Sequence, residues 1–253
     1  MAEINLSRLT DFLRVVRAAS NWYDVIPVVL RLQRKVIVNF RNGLRFYYVN
    51  DLFSLEHFVE QPYRLAQVRG RIVVDIGAFT GDSAIYFAYR GAKKVIAFEP
   101  VQETYRLAIE NVKLNGFRNI HIRNEALSMN EGEVFVDSKI QNHHSFSLPS
   151  RTSVTGVKVQ TCTLSDVVSE LGTDEAVLKL DCEGCEYDLL LKSDDQTILR
   201  FEQVILEAHS GTGSLVKRLR ELEYYVKVMD IKGHEISEED TRALALLYGS
   251  RRQ

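Results

Sequence analysis

The chain has 253 residues, of which 45% are hydrophobic, and its net charge is −2. This apolar content supplies a full-sized core, so a disordered chain is excluded, and the length suits one large α/β domain or a core domain with a cap. The near-neutral charge provides no whole-chain positive field to attract a polyanion, which disfavours nucleic acid as a partner.

The sequence also lacks the usual signs of export. The N-terminus carries acidic residues at Glu3 and Asp11 instead of the basic and then apolar layout of a signal peptide. The most apolar segment, residues 24–38, contains three basic residues and falls short of the roughly 20 residues that span a bilayer. Three cysteines are too few for a disulfide framework. We therefore expect a cytoplasmic protein without a membrane span.

Residues 1–68 are interpreted as a cap or flanking region. A first helix is predicted from apolar residues between Leu9 and Ala19, and a second is predicted near Tyr23 to Arg31. The segments KVIVNF and LRFYYV flank Asn42-Gly43, a pair typical of a tight hairpin turn. The segment DLFSLEHFVEQPY then predicts a short amphipathic helix.

Residues 69–253 are interpreted as one α/β domain, because short apolar runs alternate with helical segments as in a parallel sheet covered on both faces. The predicted strands are RIVVDI, KVIAFE, NIHIRN, AVLKLD and EQVILEA. The predicted helices are Ser83 to Tyr89, Val101 to Asn115, Leu164 to Leu171, Cys185 to Lys192 and Ser214 to Leu222. An antiparallel pair, YYVKVMD and ALALLYG, closes the sheet. Two further β segments, EVFVDS and GVKVQTC, flank a polar insertion.

The stretch VVDIGAFTGDS, from Val73 to Ser83, predicts a ligand-binding turn. Asp75 ends a buried strand, and Gly77 lets the backbone approach a ligand where a Cβ would clash. A P-loop requires lysine after its last glycine, but Asp82 follows Gly81 here. The dinucleotide fingerprint requires glycine at its middle position, where this chain has Phe79. A cofactor without a pyrophosphate therefore fits better.

Glu99 closes the second predicted strand, 22 positions after Gly77. An acid at that place can accept both hydroxyls of a ribose, as in Rossmann folds. NAD satisfies the same contact, so Glu99 indicates adenosine without selecting a reaction. A purely structural reading, in which Glu99 caps the following helix, stays open.

These segments together carry a resemblance to a known family. The residues DIGAFTGDSAIYFAYRGAKKVIAFEP, IENVKLNGFRNIHIRNEALS, VLKLDCEGCEYDLL and VILEAHS occur in that order. They resemble the FkbM family of S-adenosylmethionine-dependent methyltransferases over residues 71–230. The resemblance implies a Rossmann-like class I fold whose seven-stranded, mostly parallel sheet has the order 3-2-1-4-5-7-6. It also implies methyl transfer from S-adenosylmethionine, usually to a hydroxyl oxygen.

The resemblance further implies a set of cofactor contacts. Beside the methionine part it puts Asp75, Gly77, Ala78, Gly81 and Asp82, with hydroxyl or amide contacts from Thr80 and Ser83. Glu99 holds the ribose in this interpretation, and the adenine lies beside Pro100, Val101, Glu125 and Ala126.

Methyl transfer to a hydroxyl requires an in-line nucleophile and a general base or a metal. Asp181 and Glu183 end the fourth strand, and Glu207 and His209 end the fifth with a spacing that sends both side chains to one side. We expect these four catalytic candidates to converge, with Glu207 or His209 taking the proton. His143 and His144, in the polar insertion, could close over them. Such a set could also bind Mg²⁺ or Mn²⁺, and the metal is left unassigned.

The predicted acceptor is a small molecule or a glycan. An RNA methyltransferase is an alternative, but acids at the end of strand four would repel a phosphate backbone. A non-catalytic cofactor-binding protein is a second alternative, although the ribose acid and the strand-four acids are intact. Cys182 and Cys185 are interpreted as small residues beside the site, ahead of a metal or redox pair. The apolar first helices suit a homo-oligomer as well as a cap.

Overall fold

The computed structural model describes residues 16–49, 62–136, 157–172, 175–230, 233–238 and 244–251. The described helices are α1 (Ile26–Val29, preceded by a 3-10 turn at Trp22–Val25), α2 (Asp82–Tyr89), α3 (Gln102–Asn115), α4 (Leu164–Ser169), α5 (Cys185–Lys192), α6 (Asp195–Leu199) and α7 (Gly213–Glu221). The described strands are β1 (Lys35–Asn39), β2 (Arg45–Val49), β3 (Ile72–Ile76), β4 (Lys94–Phe98), β5 (Ile120–Arg123), β6 (Ala126–Leu127), β7 (Gly132–Val136), β8 (Val157–Cys162), β9 (Ala176–Leu180), β10 (Phe201–Ala208), β11 (Tyr225–Met229) and β12 (Ala245–Ser250).

The central sheet contains seven of these strands in the order β11-β12-β10-β9-β3-β4-β5. Numbered along the chain, this order is 3-2-1-4-5-7-6. Strand β12 is antiparallel to both neighbours, and the other strand pairs in this sheet are parallel. The carboxyl ends of β3, β4, β9 and β10 therefore meet at one edge, where open α/β sheets bind ligands. The predicted α/β fold with a central sheet is confirmed.

Alternation along the strands divides the core between the two faces of the sheet. Val73 of β3 packs on the face covered by α2, while its neighbour Val74 packs with the helices of the other face. Val177 and Leu178 of β9 divide in the same way. Helices α4, α5, α6 and α7 each contribute buried residues to the second cluster. Because both faces are covered, these strands read as continuous apolar runs in the sequence.

The N-terminal hairpin packs on the first face and is fastened to α3 by two asparagines. Asn111 Oδ1 accepts from the Tyr47 N–H at 2.8 Å, and its Nδ2 donates to the Thr80 carbonyl at 2.9 Å. Asn115 exchanges hydrogen bonds with the Arg45 backbone. The two amide side chains thus bond backbone groups of β2, as a neighbouring strand would. Asn111 also connects the hairpin to the glycine turn.

The two β segments that flank the insertion do not join the central sheet. Strands β7 and β8 pair antiparallel, and β8 also pairs with β6 to form a separate three-stranded sheet. Sequence reasoning missed β6 and α6, which are only two and five residues long. The first predicted helix before residue 16, nearly all of the helix at 51–63, and the insertion with His143 and His144 lie outside the described residues. Among the described helices, none is long and apolar enough to cross a membrane.

Candidate functional site

The glycine turn follows β3 and is held against the end of β9. Gly77 has a φ of +81°, and a Cβ at this position would lie 1.7 Å from the Asp181 carbonyl oxygen. The neighbour that requires glycine here is therefore the protein backbone, where the sequence had suggested a ligand. Gly81 also has a φ of +81°, and its missing Cβ leaves room for Ala108 of α3. Both glycines permit close packing of the turn between two elements.

Behind the turn lies a buried ion pair that includes a lysine inside strand β9. Lys179 Nζ lies 3.1 Å from Asp75 Oδ1 and 3.5 Å from Asp181 Oδ2, and it donates to the Gly77 carbonyl at 2.7 Å. Burial alone lowers the pKa of Lys179, but the nearby carboxylates outweigh it and raise the pKa above its usual value. Ser83 donates to the other oxygen of Asp75 at 2.7 Å. These contacts fix the turn from below.

The predicted cofactor residues divide by accessibility. Gly77, Pro100, Val101, Glu125 and Ala126 are partly exposed, as is Phe79, which was not among the predicted residues. The others are buried, namely Asp75, Ala78, Thr80, Gly81, Asp82, Ser83 and Glu99. Thr80 Oγ1 lies 3.5 Å from Asp82 Oδ1 within this buried group. Several of the polar side chains in the turn thus contact other protein groups and shape the turn from within.

Glu99 follows β4 and is buried at the mouth of the turn. Its Oε2 accepts from the Phe79 N–H at 2.8 Å, and its Oε1 accepts from the Val101 N–H and from Thr104 Oγ1 at 2.9 and 2.8 Å. Burial raises the pKa of Glu99 to about 7, although the three donors oppose this shift. Because a carboxylate oxygen has two lone pairs, Oε2 can accept another hydrogen bond beside that of Phe79.

The adenine-side candidates lie at the ends of β4 and β5. Asn124, which sequence reasoning did not single out, donates from Nδ2 to the carbonyls of Glu99 and Pro100 at 2.9 Å each. It ties the two strand ends together. Glu125 interacts with Cys162, and burial together with this carboxylate raises the pKa of the thiol to about 12.

The four catalytic candidates lie close together, with the carboxylates of three of them around the imidazole of the fourth, His209. Its Nε2 lies 3.4 Å from Glu183 Oε2, 3.6 Å from Glu207 Oε1 and 4.0 Å from Asp181 Oδ1. Its Nδ1 faces Glu186 Oε1 at 3.4 Å. Burial alone lowers the pKa of His209, but the carboxylates of Glu186, Glu183 and Asp181 raise it to about 9. His209 is therefore an imidazolium at neutral pH in this structure.

Glu186 shapes the turn that carries Asp181 and Glu183. Its side chain is fully buried, and its two oxygens accept from the N–H groups of Cys182 and Gly184 at 2.7 Å each. Glu186 thus caps the strand-to-helix turn as well as facing His209. Among the described residues, Asp181, Glu186 and His209 offer ligand atoms that all lie within 4.8 Å of one another. A cation bound at this edge would be held by that group.

Comparison with known families decides the relationship of the chain. Residues 75–236 match the model of a family described as the methyltransferase FkbM domain. The chain belongs to this family. The matched segment contains the glycine turn, Glu99 and all the residues around His209. No curated protein matches the sequence.

Solved methyltransferase structures show distant similarity to this FkbM-family chain. A precorrin-6y C5,15-methyltransferase from Geobacter metallireducens GS-15 is 13% identical with a TM-score of 0.48, covering 86% of this chain and 98% of that one. A SAM-dependent methyltransferase from Agrobacterium tumefaciens is 14% identical with a TM-score of 0.49, covering 87% and 71%. An rRNA methylase from Streptococcus thermophilus is 11% identical with a TM-score of 0.45, covering 79% and 98%. These likenesses decide neither the acceptor nor the site residues.

Two features of this FkbM-family methyltransferase depart from the sequence analysis. Cys182 and Cys185 are joined by a disulfide, so their interpretation as unlinked small residues is corrected. Tyr63, outside the matched segment, donates from its hydroxyl to Asp181 Oδ2 at 3.2 Å. Its only sequence signal is an aromatic residue at the end of the segment before the sheet. Lys179 carried a clearer signal, because it interrupts an otherwise apolar strand.

Proposed function

We propose that this FkbM-family methyltransferase binds S-adenosylmethionine and methylates a hydroxyl group of a sugar, a glycan or a small metabolite. The observation that carries the proposal is the meeting of two groups at one edge of the sheet. A glycine turn with a buried acid, Glu99, stands beside a cluster of carboxylates around His209. The first suits an adenosyl cofactor and the second suits deprotonation of an alcohol.

The cofactor side of the site rests on Glu99 and the partly exposed residues of the turn. Glu99 Oε2 accepts a hydrogen bond from the Phe79 N–H and has a second lone pair for a ribose hydroxyl. In this proposal Gly77 and Phe79 contact the methionine part, and Pro100, Val101, Glu125 and Ala126 surround the adenine. The buried residues of the turn have a structural role in this proposal. Hydrogen bonds and ion pairs of the polar ones stabilise its conformation, namely those of Asp75, Thr80, Asp82 and Ser83, while Ala78 and Gly81 allow close packing.

The acceptor side consists of the four groups at the ends of β9 and β10. When bound, S-adenosylmethionine would supply an electrophilic methyl group carried on a sulfonium. Asp181 and Glu183 orient the hydroxyl, and its proton passes to Glu207 or to His209. Because His209 is protonated at neutral pH, it takes the proton only in the small fraction of molecules in which it is neutral.

The charge of this cluster also bears on the acceptor. Four carboxylates lie within 4.0 Å of one imidazole. The resulting excess of negative charge repels a phosphate backbone at close range. A neutral hydroxylated acceptor meets no such repulsion. This supports a sugar, glycan or small metabolite over RNA.

Calorimetric titration with S-adenosylhomocysteine tests the cofactor site. We expect binding with a Kd on the order of micromolar. Glu99→Gln should weaken it about tenfold or more, because a charge-assisted hydrogen bond to the ribose is lost. Glu103→Gln, an exposed acid in the first turn of α3, is the matched control and should bind as the wild type does. Binding of NAD in place of S-adenosylhomocysteine would contradict the proposal.

The same titration has a predicted pH dependence. With a pKa of about 7, Glu99 is ionised in only about a tenth of the molecules at pH 6. If the ribose binds the carboxylate, affinity should fall about tenfold between pH 8 and pH 6. Glu99→Gln should abolish this change. An equal pH dependence in the variant would show that another group is responsible.

Transfer of a labelled methyl group to a panel of hydroxylated acceptors then tests the reaction. With an acceptor in hand, Glu207→Gln and His209→Asn identify the base. A rate that rises with pH toward about 9 and loses this rise in His209→Asn assigns the proton to His209. A rate that is flat above neutral pH and falls in Glu207→Gln assigns it to Glu207.

A further inference from the structure

The disulfide between Cys182 and Cys185 closes the turn that presents the acceptor side of the site. The two cysteines are three positions apart with their Cα atoms 5.5 Å apart, and the turn connects the end of β9 to the start of α5. Glu183 lies inside this closed turn, two positions after Asp181. A covalent bond therefore encloses one of the four groups that surround His209.

Glu183 has an unusual backbone conformation within this closed turn. Its φ is +57°, a left-handed conformation that non-glycine residues rarely adopt unless the surroundings impose it. In that conformation its carboxylate reaches His209 Nε2 at 3.4 Å. The disulfide holds the backbone on both sides of Glu183, so it contributes to keeping the residue there.

The beginning of the turn is held by other contacts. The Asp181 N–H donates to the Ile76 carbonyl at 3.1 Å, and the Asp181 carbonyl packs against Gly77. Tyr63 and Lys179 contact the Asp181 side chain. Breaking the disulfide would leave these contacts intact, so the change should be confined to the residues after Asp181.

A further restraint on the turn is the Glu186 side chain, which accepts from the N–H groups of Cys182 and Gly184. The two cysteines are partly buried beside the second core cluster and keep some exposure to solvent. A small dithiol can therefore approach the sulfur atoms.

We propose that Cys182–Cys185 is a reversible redox modification site, at which a dithiol reductant opens the turn and displaces Glu183 from His209. One thiolate of the reductant attacks a cysteine sulfur, and the S–S bond breaks to give a mixed disulfide. The second thiolate of the reductant closes its own disulfide and releases the other cysteine. Two electrons and two protons pass from the reductant to the protein. The reverse exchange with an oxidised dithiol restores the closed turn.

The consequence for methyl transfer rests on the proposed function. The oxidised enzyme presents all four acceptor-side groups together, whereas the reduced enzyme loses the position of Glu183. We expect reduction to slow methyl transfer about tenfold or more, because misplacement of an orienting group by an ångström is costly. Cofactor binding should change by less than about threefold, since the glycine turn and Glu99 keep their contacts.

The first experiment equilibrates the whole protein with defined ratios of reduced and oxidised dithiothreitol, followed by alkylation and mass spectrometry. Cys182 and Cys185 should become alkylated together in one two-electron step. Cys162→Ser, which removes the free cysteine, should leave that step unchanged. Cys182→Ser and Cys185→Ser should each abolish it. Full alkylation of both cysteines at the most oxidising ratio would overturn the proposal.

Hydrogen exchange on the same samples measures the conformational change in the turn. It uses the wild-type protein, so it requires neither a methyl acceptor nor a folded variant. Reduction should speed exchange in residues 182–186 several-fold and leave β3 and β4 unchanged. A disulfide that forms and breaks with identical exchange in the turn would also overturn the proposal. Titration with S-adenosylhomocysteine separates the two proposals. Absence of binding in both redox states contradicts the cofactor assignment, while the alkylation and exchange results still decide the redox site.

Discussion

The hydroxyl of Tyr63 donates to Oδ2 of Asp181 at 3.2 Å, and this hydrogen bond joins the segment before the sheet to the acid that ends β9. Tyr63 is fully buried, and its ring packs beside Phe87 with the centroids 5.5 Å apart. The bond therefore reaches the site from outside the segment that matches the family.

We predict that Tyr63→Phe lowers the free energy of unfolding by about 1–2 kcal/mol, because a hydrogen bond to a carboxylate is lost while the ring still packs. Urea denaturation measures this change. Tyr225→Phe, at a tyrosine that is about half exposed, is the control and should stay within about 0.5 kcal/mol of the wild type. Equal effects of the two substitutions would contradict a stabilising role of the Tyr63 hydroxyl.

Lys179 gives the second prediction. Lys179→Met removes the cation that faces two carboxylates and leaves Asp75 buried and without its ion pair. We expect a loss of about 3–5 kcal/mol in unfolding free energy, of which the double variant with Asp75→Asn recovers a substantial part. Lys192→Met, in an exposed pair with Asp188, should cost less than about 1 kcal/mol. Strictly additive losses in the double variant would contradict this interpretation.

Gly77 gives a prediction on backbone packing. Gly77→Ala puts a methyl group against the Asp181 carbonyl, so we expect a loss of more than about 3 kcal/mol in unfolding free energy and weak binding of S-adenosylhomocysteine. Gly116→Ala also has a positive φ, of +71°, but meets no atom within 4 Å. It should cost only about 1 kcal/mol. Thermal and urea unfolding of the pair separate the steric effect from the conformational one.

The pKa of His209 predicts how stability depends on pH. It is raised to about 9 in the folded chain, whereas an unfolded histidine titrates near about 6.5. The stabilisation of the protonated form is therefore complete below about pH 6.5 and is lost as the pH rises through about 9. The free energy of unfolding should decrease by roughly 3 kcal/mol at most over this pH range.

Urea unfolding at pH 6.5 and at pH 9.5 tests this dependence. His209→Asn should remove most of the difference between the two pH values, and His121→Asn, at an exposed histidine of β5, should retain it. A wild-type protein with equal stability at both values would contradict the proposed charge state of His209.

The sequence predicted the strands well because each is buried on both faces. Strands β3, β4, β9 and β10 therefore read as short apolar runs, and their carboxyl ends could be located to within a residue or so. That precision put Asp181, Glu183, Glu207 and His209 at one edge before any distance was known. Their roles in binding and catalysis stay predictions.

Side-chain contacts between distant segments could not be obtained in this way. Tyr63 and Asp181 are 118 positions apart, and nothing in a local pattern pairs them. Lys179 stands out as a charged residue in an apolar strand, but the strand pattern does not show which carboxylates pair with its charge. The disulfide escaped prediction because the count of cysteines was used, whereas the turn geometry decides which sulfurs meet.

We expect the hairpin and the rest of the chain to depend on each other for folding, because Asn111 connects the hairpin to the glycine turn. Without residues 16–49, the Oδ1 atom of this buried asparagine and an apolar area of the first face would lose their partners. A fragment cut at the predicted boundary near residue 69 should therefore unfold or aggregate, even though it contains the whole segment that defines the family. We therefore expect the smallest stable fragment to include the hairpin in addition to the matched segment. We also expect substitutions in the hairpin to affect the glycine turn through the side chain of Asn111.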